Sequence, residues 1–118
     1  MFTFEKLQIY QLSKELVRHI YSLTGMFPEV ERFALVTQLN RAVVSVVSNI
    51  AEGSGRSTAK DKAHFINMAY GSLMEVTCQV DIAYDLGYVS LEQKEFVFSF
   101  VKNLSVKMSN FASSLEHL

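Results

Sequence analysis

The stretch Gln38–Arg56, QLNRAVVSVVSNIAEGSGR, decides the architecture of this chain. Leu39, Val43, Val46 and Ile50 recur at three- and four-residue steps, the period of a single helix face. Arg41, Ser45, Ser48, Asn49 and Glu52 keep the same spacing, so an aliphatic helix carries a polar track along its length. Such groups need partners inside a bundle or across an interface, because a buried, unpaired charge is costly. The β-branched run Val43–Val47 has modest helix propensity, and burial against other helices is expected to hold it. Gly53 and Gly55 are then expected to turn the chain out of the helix.

Upstream, the same helix is expected to start near Glu29, where Glu29 and Glu31 suit the positive end of the helix dipole. Gly25 and Pro28 separate it from a first helix over about Phe4–Leu23, with Thr3 as cap and Leu12, Leu16, Ile20 and Leu23 as its stripe. Downstream, Thr58 with Asp61 resembles a capping box and opens a third helix that reaches Leu86 and stops at Gly87. Phe65, Ala69, Ser72, Val76, Val80 and Ala83 mark its expected core strip, and Gly71 reads as a point of close helix approach. Ser90 with Gln93 caps a fourth helix, whose Val97, Val101, Leu104, Met108, Phe111 and Leu115 form a heptad-like seam. Phe96, Phe98, Phe100 and Val106 fall beyond that seam and widen the apolar surface. Helices joined by three short connections predict an all-α, antiparallel up-down-up-down four-helix bundle, one domain over residues 1–118.

Composition limits the function classes. Residues are 49% hydrophobic and 19% charged over 118 positions, which is a globular chain with one core. Nine Phe and five Tyr exceed what so small an interior needs, and the surplus implies apolar surface shared between copies. The net charge of −1 carries no global footprint for nucleic acid. One cysteine, Cys78, excludes an intrachain disulfide and reads as a buried thiol. The opening MFTFEKLQIYQL lacks an export leader, and Ala42–Ile50 is too short and too polar to span a bilayer, so a cytoplasmic location without membrane contact is expected.

No constellation assembles a catalytic centre, and no enzyme activity or cofactor is expected. The GSGR turn lacks the full phosphate-loop pattern and follows a helix rather than a strand. Arg41, Arg56, Lys60 and Lys62 remain candidates for contact with an anion, RNA or DNA. Glu15 with His19, and Asp61 with His64, have helical spacing but not that of a known metal motif, and His117 takes no site role. The packing or interface network expected from the polar track is Gln38, Arg41, Ser45, Asn49, Glu52 and Glu75, with Glu75 or Glu52 pairing Arg41 and Gln79 facing the same way.

QLNRAVVSVVSNIAEGSGR, together with FEKLQIYQLSKEL, FPEVERFALVTQL, AYGSLMEV and DLGYV, resembles the four-helix-bundle protein family associated with bacterial 23S ribosomal RNA intervening sequences. The resemblance covers nearly the whole chain. It extends to accessory proteins of diversity-generating retroelements, which work with a reverse transcriptase and nucleic acid. It implies a ring-like homopentamer with an assembly or accessory role, and a nucleic-acid partner as the alternative. Carried over by position, it selects Gln38, Arg41, Asn49, Glu52, Gly53, Arg56, Gly71, Ser72 and Glu75. Asn40 stands where the family pattern is often basic, Val47 where proline is frequent and Tyr10 where tryptophan is common.

Overall fold

The computed structural model describes residues 1–115, and within them the chain is all-α, with four helices and no strand. His117 lies outside the described residues. Helix α1 spans Gln8–Thr24, α2 Leu35–Ser54, α3 Ala59–Asp85 and α4 Leu91–Leu115. Each packs beside its neighbour in sequence, and α1 closes the arrangement against α4, while the diagonal pairs α1–α3 and α2–α4 bring no Cα atoms within 8 Å of each other among the described residues. The shape is elongated, 46 × 24 × 22 Å.

The core fills the space between the helices. Leu16 and Ile20 from α1, Leu39, Val43, Val46 and Ile50 from α2, Leu73, Val76 and Val80 from α3, and Leu104 from α4 are all completely buried. The opening stretch therefore folds as its period predicted. The α4 seam holds as well, with Val97, Val101, Leu104, Met108 and Leu115 buried and Phe111 partly so. The core strip of α3 is shifted by one position at two places: Ile66 and Leu73 are buried, while Phe65 and Ser72 sit half-buried at its edge.

The helix ends separate right readings from wrong ones. Thr58 Oγ accepts the Asp61 amide at 3.1 Å. Ser90 and Gln93 cap each other reciprocally, at 3.1 and 2.8 Å. Gly87, at φ +81°, ends α3 in a left-handed turn, with the Gly87 amide on the Tyr84 carbonyl and the Tyr88 amide on that of Ala83. Two starts differ from expectation. Thr3–Lys6 is a separate 3-10 turn, and Leu7 in extended conformation divides it from α1, so Thr3 caps nothing there. Glu29–Glu31 is likewise a 3-10 turn, and α2 begins only at Leu35, after Ala34 leaves helical geometry. Glu31 still serves the helix start, since one carboxylate oxygen takes the Leu35 amide at 3.4 Å.

Gly53 and Gly71 play other parts than expected. Gly53 lies inside α2, buried, where an added Cβ would stand 2.8 Å from the Phe65 Cβ. It is a place of close approach between α2 and α3, rather than the turn. Gly71 is exposed, and nothing lies within 4 Å of where its Cβ would be.

The other Glu31 oxygen accepts the Tyr88 hydroxyl at 2.8 Å and ties the α2 entry to the turn after α3. That hydrogen bond, then burial and the Glu31 charge, push the Tyr88 phenol above its usual value. A raised folded pKa favours the protonated form, so this contribution is complete at neutral pH and is lost as pH rises through the folded value. In an absorbance titration of the phenols, Tyr88 is expected to ionise above pH 10, the usual phenol value, in a step that shifts down in Glu31→Gln and vanishes in Tyr88→Phe. An unchanged late step in Glu31→Gln would refute the assigned cause.

Candidate functional site

The polar track divides into an inner and an outer part. Ser45 Oγ and Ser72 Oγ are 2.9 Å apart and join α2 to α3. Asn49 Nδ2 donates to the Ser45 carbonyl at 2.9 Å and lies 3.1 Å from Ser45 Oγ. These three half-buried residues form a small network that holds the helix pair in register. Gln38, Arg41, Glu52 and Glu75 are exposed. Glu52 reaches Arg56 at 4.0 Å, along its own helix end. Among the described residues Arg41 has no ion pair with Glu75 or Glu52, which corrects the expected pairing within one chain. Gln79 parts from Glu75: it is buried, and its Oε1 has no hydrogen-bond partner among the described residues.

The basic candidates do not converge on one open cradle. Arg56 lies over the Phe65 ring at 4.4 Å as well as beside Glu52. Lys62 Nζ points to the Ser54 carbonyl at 3.4 Å. Lys60 is exposed in the first turn of α3, and Arg41 lies farther along α2. Two of the four cations are thus already engaged by groups of the chain itself.

Arg41 instead lines a groove between α1 and α2 with Tyr21, Asn40, Val44 and Ser48. The groove continues past Val44 and Ser48 to Lys14, Val17, Arg18 and Val47. Near its end Thr24 Oγ donates to Asn40 Oδ1 at 2.9 Å, an α1–α2 tie that the sequence reading did not include. The uncharged Asn40 takes this structural part where a basic residue was the family expectation. Lys94 is a second omission: it bonds Asp81 at 2.7 Å and lies over Tyr84 at 4.5 Å, joining α3 to α4. The Asp81 hydrogen bond raises the Lys94 pKa despite opposing burial, so this link also weakens only as pH climbs through a value above the usual lysine range.

The remaining candidates are dispersed. His19 meets the edges of Phe96 and Phe100, at ring distances of 4.8 and 5.7 Å, and His64 meets Phe65. Among the described residues no three His, Cys, Asp or Glu side chains gather as metal ligands. Cys78 is exposed, contrary to its reading as a buried thiol. No helix of the described residues is long and apolar enough to cross a membrane.

The fold and this surface define a small all-α protein of four packed helices whose polar residues join helices and line an open groove. The chain belongs to the family of 23S rRNA-intervening sequence proteins, whose family model matches residues 5–110. Among curated proteins none matches it.

Proposed function

We propose that this chain is a non-enzymatic, cytoplasmic protein that assembles with copies of itself, as a pentamer, and serves as a structural or accessory component. Its four helices run up-down-up-down in an antiparallel bundle. The register of α2 against α3 supports that course: Gly53 faces Phe65 while the earlier Ser45 meets the later Ser72.

One observation carries the assembly reading. Each helix keeps a large apolar side chain in solvent: Tyr21 on α1, Val44 on α2, Met68, Met74 and Ile82 on α3, Phe96 and Val106 on α4. Phe33, beside the α2 entry, is 85% exposed. Large apolar side chains left in solvent on every helix of so small a chain are surface that a second copy would cover, and a ring forms when one surface meets a different one on the next copy and the rotation closes. Three acids have partners within the chain that suit a non-catalytic role, Glu52 with Arg56, Asp81 with Lys94 and Glu31 with Tyr88. The nucleic-acid alternative would use Arg41, Arg56, Lys60 and Lys62, and the engagement of Arg56 and Lys62 within the chain weighs against it.

Light scattering across a dilution series is expected to give a particle of five times the 13.4 kDa chain mass. A particle of the single-chain mass at every concentration would overturn the reading.

A further inference from the structure

Helix α3 is apolar on two sides. Ala69, Leu73, Val76, Val80 and Ala83 face the core, and Met68, Gly71, Met74, Cys78 and Ile82 form an exposed seam on the far side at three- and four-residue steps. The core side is covered within the chain, and the outer seam is not; a second copy can cover it. Charge points to the surface that receives it. Beside and beyond the seam stand Glu75 and Asp85, both exposed and without an ion pair among the described residues. The α1–α2 groove offers the complement: its apolar floor includes Val17, Val44 and Val47, and its cations Lys14, Arg18 and Arg41 also have no ion pair among the described residues.

We propose, building on the self-assembly reading, that the outer seam of α3 on one copy packs into the α1–α2 groove of the next, with Glu75 of one copy against Arg41 of its neighbour. Contact between α2 and α3 moves from Gly53–Phe65 to Ser45–Ser72, and the same progression brings Arg41 level with Glu75. Copies related by rotation about an axis along the helices keep that level. The two side chains that do not pair within a chain therefore meet between chains. Gly71, bare of any neighbour within its own chain, lets the groove wall come close to the α3 backbone. The two faces differ, so the contact is of the head-to-tail kind that builds rings.

Cys78 lies in the seam and is the chain's single cysteine, so its reaction with a maleimide reads the burial of this surface directly. Labelling and light scattering are performed on the same sample. In the assembled protein Cys78 is expected to react at least about tenfold more slowly than in the urea-unfolded chain, because access limits a thiol's reaction. Arg41→Glu and Glu75→Arg are each expected to weaken self-association by about tenfold or more, since like charges then face each other. Helical circular dichroism should be unchanged, both positions being exposed, and combining the two substitutions should restore most of the assembly. An assembled protein whose Cys78 reacts as fast as in the unfolded chain overturns this surface while leaving self-assembly intact. So does a double variant no better than either single one. A Cys78 disulfide dimer formed readily on mild oxidation means that two seams pack on each other, and it overturns the groove. A single-chain particle at all concentrations removes the assembly reading itself, and this surface with it.

Discussion

Gly53→Val is expected to lower the stability of the folded chain by about 3 kcal/mol, the upper part of the usual range for overpacking a filled interior. Any side chain at this position starts with a Cβ 2.8 Å from the Phe65 Cβ and 3.3 Å from the Lys62 carbonyl oxygen. Neither neighbour can step aside, because one is fixed to the α3 backbone and the other belongs to it. The helices must part, and parting them loosens the Ser45–Ser72 contact two turns away. Valine's own helix propensity, better than glycine's, recovers only about 0.5 kcal/mol of the loss. Chemical denaturation at low protein concentration would show the change as a lower midpoint, and thermal melting as a fall of roughly 10–15 °C for a domain of this size. Gly71→Ala is the internal control. Its new methyl meets nothing within 4 Å, so it is expected to gain about 1 kcal/mol of helix propensity. Equal effects at the two glycines would refute the close approach at Gly53.

The two glycines also show where sequence reading stops. A glycine near the end of an apolar period has the pattern of a helix terminator, and Gly53 has it. Its actual duty depends on Phe65, a residue on the next helix, and only the packed pair reveals the conflict. Cys78 differs from its reading for another reason. A free cysteine is expected to be buried from its residue type, whereas position 78 falls on the side of α3 away from Val76 and Val80, which meet the core. Features set by neighbouring residues were legible: the Thr58 cap, the Ser90–Gln93 pair and the Gly87 stop each need only a few positions. The α2 start was misjudged because Glu29 and Glu31 favour a helix opening, yet the chain first makes a 3-10 turn and breaks at Ala34. The candidate surface was half legible. The track residues were found, but their division into the inner Ser45–Asn49–Ser72 network and the exposed Arg41, Glu52 and Glu75 depends on how far α3 covers α2.

Leu104→Ala should cost about 3 kcal/mol, in the range found when a fully buried leucine is truncated and its surroundings close only partly. Leu104 has no exposed surface and lies at the middle of the α4 seam, between Val101 and Met108, which are also buried. It loses both the transfer energy of its side chain and the contacts that lined it. Against a total stability of about 5–15 kcal/mol, that is a large fraction. Val106, two residues on, is 54% exposed, and Val106→Ala should change the stability of the single chain by no more than about 0.5 kcal/mol. Urea unfolding of both variants at a concentration where the chain is dissociated measures the difference. Comparable losses would mean that α4 is turned about its axis from the orientation described. The contrast matters for function because it separates two uses of apolar surface on one helix. The seam keeps the chain folded, while Phe96 and Val106 beyond it stay in solvent, where the proposed assembly would use them. On that proposal, a variant stripped of these two side chains should fold as before and lose only self-association.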